Sequence, residues 1–375
     1  MRQHLQETYS EAHPRAAVND LTFLQSEATL LINGRWMPDH RLLAEEVTLD
    51  NAGFIDGHLA WIAITAEEAR VLSESDFEDV LLGIARSRRV VEATGVLIGH
   101  PWDLVNRNSR QLEADFADEG VSEFPQSPHV QCLGDLSDVY VAKDTVIDPY
   151  VVIDTREGPV SIDSGVHIQS FTRIAGPCHI GQGSRIFRGL ISGGTTIGAN
   201  CRIGGEIEES ILHGYVNKYH EGFLGHSYVC PWVNLGAITT TSDLKSDYSN
   251  VNVPLQGEMI DSGSSKVGSF IGDHTKTAID SMFNTGSSVG VMALVLPGGR
   301  LLPRHIPSFS NVSFGDLAAD WPLETSIETA RVAMSRRGCE LTAAGEKLFR
   351  TLYQHTASER DAAIALSAQK RMHRN

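Results

Sequence analysis

Three histidines stand among other polar residues, and imidazole is the side chain whose ordinary pKa best suits proton transfer near neutral pH. They are His220, His226 and His274. Lys218 lies two residues before His220, and Asn234 follows it by fourteen residues. A histidine in such a setting can act as a general base, or it can be a surface or interface residue without a catalytic task. Spacing alone leaves both interpretations open.

The other polar candidates are lysines and cysteines. Lys245, in Ser-Asp-Leu-Lys, is either a loop charge or a ligand contact. Five scattered cysteines without CxxC spacing indicate reduced thiols rather than a disulfide frame or a zinc site. They are Cys132, Cys178, Cys201, Cys230 and Cys339. Cys178 and Cys201 occupy small-residue positions of the repeat described below, which predicts packing rather than nucleophilic chemistry.

Composition narrows the classes of function. The 375 residues carry a formal charge of −16, so DNA, RNA and anionic membranes are poor partners unless a local patch overrides the charge. No segment is apolar and long enough for a signal peptide or a membrane span. We therefore expect a cytoplasmic protein that does not bind nucleic acid or membranes.

Aliphatic and other apolar residues recur at every sixth position after residue 140. The early runs are Val141, Ile147, Ile153; Ile162, Ile168, Ile174, Ile180, Ile186; and Ile197, Ile203. The later runs are Phe223, Val229, Leu235; and Ile271, Thr277, Phe283, Val289, Val295. Ordinary strands alternate with period two, so this register indicates stacked coils that share one interior. Residues 140–300 are predicted to form a parallel β-helix.

Small residues and glycines accompany the repeat. Four residues after most of the aliphatics comes a small or β-branched side chain, such as Thr172, Cys178 or Ser184. The residue directly after the aliphatic is often Gly or Asp, as at Gly181 and Gly198, which we expect to allow unusual backbone angles at corners. Two interruptions are expected to be loops, residues 155–159 and the polar stretch 241–264.

The flanking regions have different patterns. Residues 29–34 predict a buried strand, 75–88 a helix, 95–98 a strand and 101–116 a polar helix. Residues 118–127 are interpreted as a linker. After residue 310 the pattern is helical, with Thr325-Ser-Ile-Glu328 as a candidate capping box, Thr342 as a candidate cap and the last residues as a frayed helix or tail.

The repeat resembles that of the left-handed β-helix acyltransferases, as in Ile180-Gly-Gln-Gly-Ser-Arg185. Asn217-Lys-Tyr-His220 and Val233-Asn-Leu-Gly-Ala237 resemble the acetyltransferase half of the bifunctional enzymes that acetylate glucosamine-1-phosphate and then uridylylate it. Over nearly its whole length the chain resembles the GlmU-like sugar nucleotidyltransferases. The motifs that carry this resemblance lie at residues 217–225, 242–245, 272–276 and 283–286. Pro101-Trp-Asp-Leu-Val-Asn106 resembles the end of their nucleotidyltransferase domain.

The resemblance implies a fold and an organisation. We expect a mainly β protein with a left-handed parallel β-helix, an incomplete nucleotidyltransferase-like α/β segment before it and a helical extension after it. The implied domains are 1–125, 126–310 and 311–375. The first segment lacks the Gly-rich, Arg-containing loop that wraps nucleotide phosphates in that family, and it is too short for a complete domain. Nucleotidyl transfer is therefore expected only from a longer form.

The resemblance also implies the roles of particular residues in acyl transfer from acetyl-CoA to an amino sugar phosphate or a nucleotide sugar. His220 would be the general base, Asn234 would position the acceptor and Phe223 would pack against it. The remaining substrate-binding candidates are Lys218 and Lys245. For the acyl donor the candidates are Gly236 and Ala237 (backbone N–H groups for an oxyanion) and Lys266, Lys276, Arg300 and Arg304 (coenzyme phosphates). Related enzymes are trimers, so a homotrimer with sites between subunits is expected.

Two departures from the family pattern affect acceptor recognition. Glu208 stands where those enzymes have a basic residue for the sugar phosphate, and Asp243-Leu244 replaces an Asn-Tyr pair. A non-catalytic trimeric scaffold is therefore a rival interpretation. Another is a zinc site, because some β-helix trimers bind zinc through three histidines, and His220, His226 and His274 are sufficient in number. The resemblance favours the acyltransferase without a metal.

Overall fold

The computed structural model describes residues 1–39, 47–117, 122, 124 and 127–373. The chain divides into two compact units, Met1–His100 and Pro101–Asn375. No helix among the described residues is both long and apolar enough to cross a bilayer. The predicted linker at 118–127 lies mostly outside the described residues, and the three-domain division stays a prediction.

The first unit is an α/β structure built on a four-stranded sheet. The strands in spatial order are Thr29–Ile32, His58–Ile64, Asn51–Ile55 and Arg89–Glu92, and Trp36–Met37 pairs separately with Val96–Leu97. The helices are Gln3–Leu5 (3-10), Gln6–Ala12, Leu21–Leu24, Ala66–Ala69 and Phe77–Arg86. The predicted helix at 75–88 and strand at 95–98 are confirmed. The prediction of a buried strand at 29–34 is wrong in its burial, because Thr29–Ile32 is an edge strand with Leu30 and Ile32 exposed.

The second unit contains a parallel β-helix with three faces. Face 1 consists of Val139–Val141, Val160–Ile162, Cys178–Ile180, Thr195–Ile197, Ile211–Leu212, Tyr228–Val229, Phe270–Ile271, Ser288–Val289 and His305–Ile306. Face 2 consists of Val146–Ile147, His167–Ile168, the first halves of Arg185–Ile191 and Arg202–Glu208, Asn217–Lys218, Asn234, Lys276–Thr277, Leu294–Leu296 and Ser310–Ser313. Face 3 consists of Val130–Leu133, Val151–Asp154, Arg173–Ala175, the second halves of the two long strands, Phe223–Gly225, Thr240–Thr241 and Met282–Phe283. The fold-class prediction is confirmed.

The predicted interior positions point into one continuous core. Ile153, Ile162, Ile168, Ile174 and Ile180 are fully buried there. One position of the repeat was predicted wrongly: Leu224 is buried on face 3, whereas its neighbour Phe223 is half-buried on the outer side. A strand alternates its side chains between faces, so the register of that single strand is shifted by one residue.

Glycines of the repeat allow neighbouring coils to approach each other. A Cβ on Gly181 would lie 2.8 Å from the backbone nitrogen of Ala199, and one on Gly198 would lie 2.7 Å from that of Gly214. The left-handed backbone angles occur elsewhere, for example at Asn200 with φ 58°. The expectation that these glycines supply unusual angles is therefore wrong, since they are required by close packing between coils.

The two predicted interruptions leave the coils as expected. Residues 155–159 form a short turn, and the longer insertion contains an antiparallel hairpin of Asn252–Leu255 with Glu258–Asp261. Val251 and Val253 of this insertion pack with Phe270 of face 1 and with Trp102. Trp102 belongs to the predicted helix, Pro101–Phe116, which is confirmed and lies along face 1.

The end of the second unit is helical, as predicted. After the last strand, Asp316–Asp320, come the helices Leu323–Ser335, Ala343–His355 and Ala357–Met372. The predicted cap at Thr342 is confirmed, because the Thr342 hydroxyl accepts a hydrogen bond from the Gly345 N–H at 3.1 Å, at the start of the second of these helices. The predicted capping box at Thr325 is wrong because Thr325 lies inside the first helix. The predicted frayed tail is a helix anchored by buried Arg360, whose guanidinium lies 4.1 Å from the Tyr353 ring centre.

Candidate functional site

The two segments that carry the family resemblance lie on adjacent coils in register. Asn217 pairs with Asn234 across face 2, and the Ile238 N–H donates to the Glu221 carbonyl at 2.9 Å. Both contacts join residues 17 positions apart, so His220 lies level with Ala237. The tertiary structure thus brings the candidate base and the candidate oxyanion donors to one corner, between face 2 and face 3, and places the candidate positioning amide on the adjoining part of face 2.

His220 is exposed at this corner. Its ring contacts Tyr219 edge-on with 4.7 Å between ring centres, and Tyr219 in turn contacts Phe187 at 4.2 Å. An exposed imidazole beside an aromatic ring can accept a proton from a bound amine and release it to water. The catalytic role of His220 stays a prediction.

Lys218 lies inside the coil, at a position that isoleucine occupies one coil earlier. Its ammonium nitrogen donates to the Gly204 carbonyl at 2.8 Å and to the His220 carbonyl at 3.1 Å, and 1% of the residue is exposed. Burial lowers the pKa of Lys218 to about 8. Lys218 therefore holds the backbone of the candidate base from within, rather than presenting its charge to a ligand on the surface.

A polar ladder continues along face 2 from this coil. The Asn217 side-chain amide donates to the Asn234 side-chain oxygen at 2.5 Å, and Asn234 pairs with Lys276 on the next coil. The Lys276 ammonium donates to the Trp232 carbonyl at 2.9 Å, and burial lowers its pKa to about 8. Asn234 is thus oriented by a neighbouring amide, as a residue that positions an acceptor would need to be.

The two candidate oxyanion donors differ in availability. The Gly236 N–H already donates to the Thr277 hydroxyl at 2.9 Å, and this hydroxyl also contacts the Thr239 hydroxyl at 2.8 Å. For the Ala237 N–H, the described residues provide no acceptor. The Ala237 N–H is therefore the better candidate for an oxyanion contact.

The other predicted substrate-binding residues lie on face 3 and in the insertion. The Phe223 ring covers Gly225 on the outside of face 3, where a Cβ on Gly225 would meet it at 2.4 Å. Lys245 belongs to the insertion, where its ammonium donates to the Asn250 carbonyl at 3.1 Å and to the Ser249 hydroxyl. The structure supports no shared contact between Lys245 and the His220 coil.

The predicted coenzyme-binding cations are not brought together. Lys266 pairs with Glu208 at 3.3 Å, and Arg300 pairs with Asp316 at 3.4 Å. Arg304 donates through Nε to the Thr285 carbonyl at 3.1 Å, and Lys276 is occupied within face 2. Two of the four charges are already compensated by carboxylates, so these residues fit an anionic coenzyme poorly as a group.

The sequence did not predict a buried ion-pair cluster around His226. Nδ1 of His226 lies 2.8 Å from Asp243 and Nε2 lies 3.2 Å from Glu209. Burial lowers the imidazole pKa, but the two carboxylates outweigh it and raise the pKa to about 9. The signal was present in the sequence, because Asp243 is one of the departures from the family pattern. Both ring nitrogens are occupied, so His226 is a structural cation.

The three histidines considered for zinc lie at three different corners of the coil. His220 lies between faces 2 and 3, His226 between faces 3 and 1, and His274 between faces 1 and 2, where it is buried and stacks on Trp232. Within the described ranges, no group of three or more His, Cys, Asp or Glu side chains could hold a metal ion. One chain thus does not assemble the three-histidine site.

Comparisons with known proteins agree with the geometry. Residues 1–119 match the family model described as sugar nucleotidyl transferase. The bifunctional sugar-1-phosphate nucleotidylyltransferase/acetyltransferase of Sulfurisphaera tokodaii is 29% identical over 60% of this chain and 51% of its own length. The bifunctional protein GlmU of Jannaschia sp. is 29% identical over 40% of this chain and 33% of its own. The match spans about half the length of the first of these relatives and about a third of the second.

A solved structure, the UDP-N-acetylglucosamine acyltransferase from Campylobacter jejuni, aligns with 60% of this chain and 94% of its own at 14% identity. Its TM-score of 0.24 is too low to support an inference. The likeness to GlmU-like proteins therefore rests on the sequence matches and on the observed coils. The chain is similar to GlmU-like proteins: a segment that matches the sugar nucleotidyl transferase family precedes a parallel β-helix.

Proposed function

We propose that this chain is an acyltransferase that moves an acetyl group from acetyl-CoA to the amine of an amino sugar phosphate or nucleotide sugar, with His220 as general base. The observation that carries the proposal is the register that sets His220 level with Ala237 and Asn217 against Asn234. The relatives named for nucleotidyl transfer and acetyl transfer support it.

The chemistry assigns one task to each group. The acceptor amine must lose a proton to attack the thioester carbonyl carbon, and the exposed His220 imidazole would take that proton. Attack forms a C–N bond and places negative charge on the carbonyl oxygen, which the Ala237 N–H would stabilise. The C–S bond then breaks, and the thiolate takes the surplus proton that the attacking nitrogen still carries, so that an amide forms and coenzyme A leaves as a thiol. The Lys218 ammonium would keep His220 in place by donating a hydrogen bond to the His220 carbonyl.

The acidic surroundings narrow the pose of the acceptor. Glu208 and Asp243 flank the outer side of face 3 where the family pattern has phosphate ligands, and Lys266 is the cation that pairs with Glu208 there. A phosphate bound at that place would meet two carboxylates whose neighbouring cations, Lys266 and His226, are already engaged by them. An acceptor that carries phosphate must therefore direct it toward another face.

The test is a transfer screen of purified protein with acetyl-CoA and a panel of amino sugars and their phosphates, in which release of free coenzyme thiol is measured. His220→Ala is expected to lose about 10²–10⁴-fold in rate. The matched control is His373→Ala, since His373 is another exposed histidine of the same unit and lies outside the row of apolar side chains proposed below for the trimer. Equal rates for wild type and His220→Ala would contradict the role of His220 as base.

A second candidate function rests on the match of residues 1–119 to the sugar nucleotidyl transferase family. In a longer form the protein would transfer a nucleotidyl group to a sugar phosphate. Pyrophosphate release from UTP and a sugar-1-phosphate would test it. If neither activity is found, the remaining proposal is a non-catalytic scaffold.

The expected homotrimer is also a proposal, together with a cytoplasmic location. Its support is a row of exposed apolar side chains along the corner between faces 2 and 3. These are Tyr150, Phe171, Ile238 and Ile279, each more than half exposed. A trimer that covers this row would place His220 between subunits. Light scattering coupled to size-exclusion chromatography is expected to give three times the mass of the chain.

A further inference from the structure

Face 2 carries two arginines on adjacent strands in direct register. Arg185 pairs with Arg202, and Arg202 pairs with Asn217 on the following coil. Neighbouring strands lie about 4.8 Å apart, so both outward-pointing guanidinium groups start from almost the same place. Like charges directly opposite each other destabilise a sheet. The arrangement is therefore unfavourable unless an anion compensates it.

The helical extension adds further positive charge to the same place. Helix Leu323–Ser335 ends at Arg336 and Arg337, and Arg337 donates to the Asn200 carbonyl at 3.4 Å, two residues before Arg202. Burial lowers the pKa of Arg337, and Arg202, Arg185 and Arg336 lower it further by repulsion. The negative end of the helix dipole accounts for one or two cations there, but not for four.

No carboxylate within salt-bridge distance neutralises this arginine cluster (Arg185, Arg202, Arg336 and Arg337) among the residues that the structure describes. Four other arginines of the unit are compensated by carboxylates: Arg156 and Arg173 share Asp154, and Arg331 and Arg350 bind glutamates. The cluster is thus a concentration of unpaired positive charge in a chain with a formal charge of −16.

We propose that the arginine cluster binds the pyrophosphate group of a nucleotide-type ligand. Guanidinium groups match phosphate oxygens in pairs of hydrogen bonds, and several arginines suit a group with several negative charges. The cluster is independent of the four cations discussed for the coenzyme. It lies on face 2, one coil from Asn217, whose coil also carries His220, so a ligand held there by its phosphates could extend to the His220 corner.

The experiment measures binding to the full chain by calorimetry at low ionic strength, first with inorganic pyrophosphate. We expect saturable binding that weakens as salt is added. Arg202→Gln should raise the dissociation constant by about 10-fold or more, and Arg202→Lys by less, because it keeps the charge but loses the paired geometry. The matched control is Arg331→Gln on the helix that precedes Arg337, and we expect a change within about 2-fold, since Glu328 and Glu346 already bind Arg331.

Coenzyme A and UDP-N-acetylglucosamine then compete against pyrophosphate in separate titrations. Displacement by the first identifies an acyl-donor site, and displacement by the second a nucleotide-sugar site; either result supports the proposal. Absence of pyrophosphate binding, or equal binding by wild type and Arg202→Gln, would overturn it. Melting curves without ligand check the fold of each variant, and Arg202→Gln should melt no lower than wild type because repulsion is relieved. Since acyl transfer is not measured, this test can fail or succeed independently of the role of His220.

Discussion

The coils between Val151 and Ile207 and those between Asn217 and Phe283 share one backbone design but have different interiors. In the early coils the aliphatic position of the repeat is occupied on all three faces by fully buried isoleucines, including Ile153, Ile168 and Ile180. In the later coils face 1 stays apolar, whereas faces 2 and 3 contain Lys218, Thr241 and Thr277. These polar substitutions surround the corner that holds His220.

The difference indicates that, around the candidate site, buried polar side chains replace the buried apolar side chains of the earlier coils. Each of these three polar side chains is hydrogen-bonded: Lys218 to two carbonyls, Thr277 to the Gly236 N–H, and Thr241 to the Gly225 N–H at 3.3 Å. Buried polar groups fix a geometry only when they are satisfied. The early coils contribute hydrophobic stability, whereas the hydrogen-bonded polar groups of the later coils hold the residues of the candidate site in position.

The strongest test of this contrast is His226→Leu in the later coils. It leaves Asp243 and Glu209 without their cation, so we expect the free energy of unfolding to fall by about 3–5 kcal/mol near pH 6. The folded pKa of about 9 lies above the ordinary 6.5, so this contribution is complete below pH 6.5 and is lost as the pH rises through 9. Urea denaturation at pH 6 and pH 10 measures it, with exposed His129→Leu as control. An equal loss at both pH values would argue against the ion pairs.

In the early coils, Ile174→Ala should lower the free energy of unfolding by about 2–5 kcal/mol, because it opens a cavity in a fully packed interior. Ile174→Val is the graded control, with an expected loss of about 0.5–1.5 kcal/mol. Neither loss should depend on pH between 6 and 10. A pH-dependent loss would show that the early coils are not a purely apolar region. Urea denaturation measures both variants.

Lys218→Met tests the cost of the buried ammonium. The folded pKa of about 8 lies below the ordinary 10.5, so the folded state binds fewer protons than the unfolded state between these values. Stability of wild type relative to Lys218→Met should therefore rise between pH 8 and pH 10.5, by about 3 kcal/mol. Lys143→Met, which removes an exposed lysine, should show no such rise. A flat difference for Lys218→Met would mean that its ammonium is hydrated.

The smallest expected effect is that of Cys178→Ala in the early coils, about 1 kcal/mol. Burial raises the pKa of the Cys178 thiol to about 12, so alkylation of the native protein at pH 8 should be much slower at Cys178 than at the half-buried Cys339. Peptide mapping after iodoacetamide treatment measures this. Rapid labelling of Cys178 would contradict its place in the interior.

Much of the fold follows from the sequence because a six-residue period leaves few alternatives to stacked coils. Ile162, Ile168, Ile174 and Ile180 predict their own burial in that way. The burial of Phe223 was predicted wrongly, because a six-residue period cannot show a shift of one residue where two adjacent residues, here Phe223 and Leu224, are both apolar. The edge position of Thr29–Ile32 was not predictable either, because exposure depends on which strands pair with it.

The site divides in the same way. The sequence alone was enough to predict the coils, but not the 17-residue offset that sets Asn217 against Asn234, since three repeats of six residues would give 18. Three further features became visible in the folded chain: Lys218 points inward, Asp243 and Glu209 contact His226, and Arg337 lies near Arg185 and Arg202. The physical reason is that a local repeat fixes backbone register, whereas the environment of a charge depends on segments far away in the chain, whose approach no period encodes.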